Sequence, residues 1–351
     1  MSLLTHLLTV LVATNSTALA VSNEIHQATG IAVSVPDPND PVTQELKKLM
    51  ADDDVASDEV DKWIRDNNDF SKVGAGVPND QLNKRILERF ATVRKAYEDF
   101  LQRHPDSAPG YLAYGSFLND IGDEEGSMLQ SEKSRQLDPK NPAAWNNLAN
   151  YYGEHGSITN AFAYYAKASE LNPAEPVYYQ NLATCVYLFR REAMSFYGIT
   201  EPEVFNKALA LYQQAMTLSP KDFPLATDYA MSYYGIRPLR TNDALIAWTN
   251  ALQLARDETE REGVYIHLAR IKIYIGQFDA ARAQLEAVTN ADLADMKNRL
   301  LRNANEQEHP ATNSTPVSTA LQMTETNLVL TLTNATAVLT NLPPTAPGQQ
   351  P

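Results

Sequence analysis

The prolines in the middle of the chain keep step. Pro105, Pro139 and Pro173 lie 34 residues apart, and each closes an apolar-periodic run, after Arg103-His104, Leu137-Asp138 and Leu171-Asn172. A fixed period of this length marks a repeat architecture, in which one supersecondary unit is stacked several times. Laying the chain out from the prolines gives columns. The fourth residue of successive units is Tyr111, Trp145, Tyr179, Ala226 and Tyr265, and the seventh is Tyr114, Leu148, Leu182, Tyr229 and Leu268. The eighth is always small: Gly115, Ala149, Ala183, Ala230 and Ala269. A second small column holds Ser127, Ala161, Ala208, Ala244 and Ala281. Large residues follow at Tyr165, Tyr212, Trp248 and Leu285, with Ser131 in the first unit. A last small column holds Ser134, Ala168, Ala215 and Ala251, with Val288 in the fifth unit. Paired small residues let two antiparallel helices approach closely, and the large ones fill the space between successive pairs. The proline ends each second helix, because it cannot continue the hydrogen-bond ladder.

The unit from Pro142 to Pro173 carries Trp145, Leu148, Ala149, Tyr152, Ala161, Tyr165, Ala168 and Pro173. On these residues the chain resembles a tetratricopeptide repeat protein. The resemblance spans about residues 82–290. It implies an all-α fold, a right-handed α-solenoid of about five helix-turn-helix repeats. Asn83 to Arg103 looks like the second half of a partial unit.

Two places depart from the spacing. Pro173 and Pro220 are 47 residues apart, so the third unit carries 13 extra residues near Phe189 to Val204. Thr200 and Glu203 form a capping box that starts a helix at about Glu201. The helix before it is expected to run from Pro176 to about Phe196, with a short turn at Tyr197-Gly198. The second departure is the longer loop Gly235 to Arg240, after which Thr241 is the expected cap.

Length alone suggests about two domains, and the composition divides the chain further. Residues 1–20 read as a secretory signal peptide: an apolar stretch from Leu3 to Val12, then Ala18-Leu19-Ala20. That segment lacks any Lys or Arg, and an N-terminal arm is the alternative. Cleavage would make the protein exported, periplasmic or secreted; without it the chain would be cytoplasmic. Residues 21–41 read as a linker. Residues 42–81 read as N-terminal capping helices, one or two short ones, with Leu46, Leu49, Met50, Val60, Trp63 and Ile64 at helical spacing. Residues 82–303 form the repeat solenoid. Residues 304–351 are expected to be a disordered tail: from Pro310 on there are ten threonines, six prolines, one acid and no Lys or Arg.

The chain has 29 basic and 43 acidic residues, a net charge of −14, which repels a phosphate backbone and argues against nucleic acid as a partner. No integral membrane segment is expected. The single cysteine, Cys185, cannot form an internal disulfide and reads as a packed thiol rather than a nucleophile. The six histidines, at 6, 26, 104, 155, 267 and 309, show no metal-ligand spacing. There is no phosphate-binding glycine loop, nucleophile elbow or zinc-protease motif. The acidic run from Asp52 to Asp61 lacks calcium-loop spacing and reads as a solvated helix face. No catalytic residue, cofactor or metal is expected, and the chain is not expected to be an enzyme.

The resemblance implies a protein or peptide partner, held in a groove lined by the first helix of each repeat. At the groove positions of the family stand Asn146 and Asn150 in the second unit, Gln180, Thr184 and Tyr187 in the third, Tyr234 in the fourth, and Ile266, Arg270 and Ile273 in the fifth. Asn147 and Asn181 resemble the family's groove asparagines. Such amides either donate to and accept from a peptide backbone or bond neighbouring helices. The expected binding set is therefore Asn146, Asn147, Asn150, Gln180, Asn181, Thr184, Tyr187, Tyr234 and Arg270. The first three units place no Lys or Arg at the corresponding positions, which speaks against recognition of a partner's terminal carboxylate there. A self-assembling structural protein is the alternative function, with an acid/base enzyme in the groove behind it.

Overall fold

The structure, a computed structural model, describes residues 40–309. The expected signal segment, the linker up to residue 39 and the tail from residue 310 lie outside the described residues. Among those described there are fourteen α-helices and no strand. The fold is all-α and of the helical-repeat class. It falls into two compact units, residues 40–148 and 149–309.

The first unit begins with α1 (Pro41–Lys72) and α2 (Asn79–Arg103). α1 is one helix of 32 residues, not one or two short ones. Asp40 caps it by accepting from the Thr43 amide, and no glycine or proline interrupts it before Gly74. Its acidic middle is partly neutralised by Arg89 of α2, which reaches Glu59 at 2.8 Å and Asp52 at 3.2 Å. Leu46, Ala56 and Val60 pack on Ile86, Phe90, Val93 and Tyr97 of α2. The buried Asn67 amide pins the connector by bonding both the N–H and the C=O of Val77. α3 (Ala108–Asp120) and α4 (Glu124–Leu137) form the first full hairpin. Gly115 shows why its column is small: a Cβ there would meet the Ser127 carbonyl oxygen at 3.2 Å and Ser131 Oγ at 3.1 Å. α5 (Pro142–Glu154) opens the next hairpin.

In the second unit, α6 (Ile158–Leu171) follows α5, and α7 (Pro176–Leu188), α8 (Arg190–Tyr197) and α9 (Glu201–Leu218) make up the third repeat. α10 (Phe223–Ser232) and α11 (Thr241–Leu254) make the fourth, and α12 (Glu258–Tyr274) and α13 (Phe278–Glu286) the fifth. α14 (Ala294–Glu308) comes last. Ala149, Ala161, Ala183, Ala208, Ala230, Ala244, Ala269 and Ala281 are all fully buried, as the small columns require.

Three boundaries differ from expectation. The helix from Pro176 breaks at Phe189, where the backbone turns to φ −102°, ψ 55° and the side chain packs into the core. α8 then carries Ala193 into the interior and lays Phe196 and Tyr197 against Phe162 of α6, at centroid distances of 5.4 and 5.6 Å. The capping box at Thr200 and Glu203 is formed as expected. α11 starts one residue early, with Arg240 as its cap and Thr241 already helical. α14 runs on to Glu308, five residues into the segment assigned to the tail. There Ala304 is buried and Arg282 bonds Asn305 and Glu308.

Candidate functional site

In the first unit, Asn147 donates to Ser116 Oγ at 3.4 Å from a half-buried position. Asn146 is 8% exposed, too enclosed for the open face on which it was expected.

The remaining candidates belong to the second unit. Asn150 accepts from the Tyr165 hydroxyl at 2.7 Å. Gln180 donates to Asp228 of α10 at 2.8 Å. Thr184 pairs with the buried Tyr212 hydroxyl at 2.7 Å and also bonds the Gln180 carbonyl. Asn181, beside them on α7, is half-buried. Burial pushes the Asp228 carboxyl above its ordinary range, against the bond from Gln180 that lowers it. Amides, hydroxyls and one half-buried acid thus tie α7 to α9 and α10.

Tyr187 and Tyr234 are departures from the expectation: each is 5% exposed and packs in the core. Tyr187 lies 6.0 Å from Phe205 of α9, and its hydroxyl closes over Gly235. Tyr234 is covered from α12. Its hydroxyl lies 3.2 Å from Nδ1 of His267, and that imidazole stacks on Trp248 at 4.0 Å and 3°. Burial first, then Arg270, push His267 down to about 3, so the ring is neutral. Arg270 lies over the Tyr234 ring at 5.5 Å and remains half-buried. Ile266 and Ile273, expected to face the groove, are 1% and 2% exposed because Leu300 and Ala304 of α14 pack with them. What the spacing missed is that a neighbouring helix claims these positions, and no residue of α12 announces that neighbour.

Cys185 is buried, and burial pushes its thiol up to about 12, which fits a packed thiol. A groove of about 700 Å³, absent from the expectation, opens between α9, α10 and α11. Leu209, Gln213 and Met216 line one wall, Asp243, Ile246 and Asn250 the other, with Tyr229 and Tyr233 between. Gln213 donates to Tyr229, whose hydroxyl lies 2.8 Å from that of Tyr233. The one signal in the sequence was the longer loop from Gly235 to Arg240, which separates α10 from α11. Among the described residues no helix is long and apolar enough to cross a membrane.

Residues 142–175 match the family model of the tetratricopeptide repeat. The chain is similar to three solved structures. One is YrrB, a TPR protein with an unusual peptide-binding site, at 15% identity over 61% of this chain and 99% of that one, TM-score 0.45. Another is a thermophilic TPR protein of Thermus thermophilus, at 20% identity over 56% and 98%, TM-score 0.40. The third is PilF of Pseudomonas aeruginosa, at 13% identity over 72% and 99%, TM-score 0.47. No curated protein matches the chain in sequence. The matched segment is a tetratricopeptide repeat, a helix hairpin closed on buried Ala149 and Ala161, and hairpins closed on the same two small columns precede and follow it.

Proposed function

We propose that the protein is a non-catalytic scaffold that holds a peptide or partner protein on the first-helix face of its repeats. The observation that carries this reading is the polar row of the second unit: Asn150, Gln180, Asn181 and Thr184, half-buried, with Arg270 beyond them. Gln180 uses one N–H on Asp228, and its second N–H and its carbonyl remain to meet an extended backbone. Half-burial fixes these side chains before a ligand arrives, which lowers the ordering cost of binding.

Peptide selection against the immobilised chain tests the reading. Selected peptides are expected to lose about tenfold or more in affinity for a Gln180→Ala, Asn181→Ala double variant, a loss of roughly 1.4 kcal/mol or more. Melting of that variant should show a stability loss of about 1–2 kcal/mol at most, since it loses the Gln180 bond to half-buried Asp228 but no core packing. Affinity should change little between 0.1 and 0.3 M salt, where the screening length falls from about 10 to about 6 Å, since one cation and one acid carry little of the contact. Equal binding by the double variant would remove the first-helix face as the site. A concentration-dependent dimer or larger species without any selected peptide would favour self-assembly instead.

A further inference from the structure

Tyr97 of α2 is 1% exposed, and its hydroxyl donates to Asp53 of α1 at 2.9 Å, a bond between residues 44 apart in the chain. The Tyr97 ring stacks on Tyr114 and Phe117 of α3, at 5.3 and 5.6 Å. The bond therefore sits where α1, α2 and α3 meet, among Ala56, Val60, Val93 and Leu118. Asp53 itself is half-buried, so its carboxylate loses part of its hydration, which one phenol does not replace.

The charges that act most strongly on Asp53 are negative. Asp52 and Asp54 flank it on α1, and Asp120 arrives as the last residue of α3, where the helix already presents its negative end. The nearby arginines of α2 are committed elsewhere, Arg89 to Asp52 and Glu59, Arg94 to Asp123 at 2.9 Å. Tyr114, the other phenol of α3, donates to Glu98 of α2. Burial first, then the three acids, push Asp53 up to about 7 against the Tyr97 bond, which lowers it. Asp120, exposed at the end of α3 yet crowded by its neighbours, is pushed up to about 6, first by the hydration it loses there and then by Asp54.

We propose that α1 is a proton-latched cap: with Asp53 protonated it is held shut on α2 and α3, and with Asp53 ionised it opens from them more readily. The direction follows from linkage. Burial against α2 and the neighbouring acids put Asp53 at about 7 with the cap shut, against an ordinary 3.8 once the cap is open and the carboxyl is fully hydrated, so the shut state holds the extra proton between those values. The latch is complete below about pH 4 and is lost as pH rises through 7. Opening bares Phe90, Val93 and Phe117, an apolar surface that α1 otherwise covers.

Hydrogen exchange on the full chain between pH 5 and pH 8, corrected for intrinsic rates, reads the latch directly. Amides of α1 are expected to lose about tenfold or more of their protection across that range, while those of α9 in the second unit keep theirs. Asp53→Asn keeps an acceptor for Tyr97 without a charge, so its α1 should be protected at both ends of the range. Two further variants move the midpoint in opposite directions. Asp120→Asn removes a like charge and shifts it to lower pH, whereas Tyr97→Phe removes the bond that favours the ionised form and shifts it higher. The proposal is overturned if Asp53→Asn keeps the wild-type slope, if α9 shows the same slope, or if the two midpoints fail to separate.

Discussion

A single missing methyl group shapes the fourth repeat. Gly235 has an ordinary backbone conformation, so its identity is set by space rather than by φ. A Cβ there would meet the Tyr187 hydroxyl oxygen at 2.6 Å, and that ring is held in the core. Gly235→Ala is therefore expected to destabilise by about 1–3 kcal/mol, through displacement of Tyr187. Thermal melting with near-ultraviolet circular dichroism checks this, because the tyrosine signal should change along with the midpoint. An unchanged spectrum would mean that the ring and the glycine do not touch. The same contact explains why Tyr187 is buried rather than open to the groove. Its position in the repeat is a groove position, but its surroundings come from Gly235 and Phe205, many residues downstream.

Helices and their joints were legible to different depths. The small columns and the capping box at Thr200 are local signals, and both stand as read. The break at Phe189 was not legible, because Tyr187 to Ala193 contains no glycine or proline. It follows from packing: Phe189, Ala193, Phe196 and Tyr197 find their partners on other elements. Glu262 shows the same limit. It is 2% exposed on α12, yet it accepts from the amides of Thr289 and Asn290 and from the Thr289 hydroxyl, anchoring the turn after α13. Those bonds lower its carboxyl below the ordinary range. A lowered value means stability that is present above about pH 4.5 and lost as pH falls through the folded value. Glu262→Gln should accordingly melt below wild type at pH 7, and the gap should close as the pH approaches 3. A constant gap across that range would mean that the side chain acts through shape rather than charge.

At the scale of the chain, the end of the repeat series matters as much as its period. A terminal repeat leaves one face without a neighbour, and here α14 takes that place by packing Leu300 and Ala304 with Ile266, Ile273 and Leu285. A chain ending at residue 290 should lose roughly 3 kcal/mol from the melting of the second unit and bind an apolar dye. One ending at residue 309 should melt like the full chain. If both truncations melt alike, α14 is not a structural cap. The period predicted the hairpins but not this ending, since α14 lacks the columns that make a repeat visible; only a helix near Asp292 to Asn303 was legible there, and it stands as Ala294–Glu308.

The thirteen extra residues of the third repeat fall at one seam. Gly122, Gly156 and Gly276, all with positive φ, each stand five residues before the small residue of the second helix. Gly198 also has positive φ but stands ten before Ala208, and the eight residues of α8 come ahead of it. The addition therefore straddles the turn and leaves the contacting columns on either side in phase. For protein engineering this marks a natural splice point. Foreign sequence inserted beside Gly198 keeps the columns in phase, provided that Ala193 stays buried and that Phe196 and Tyr197 keep their contacts with Phe162 of the preceding hairpin.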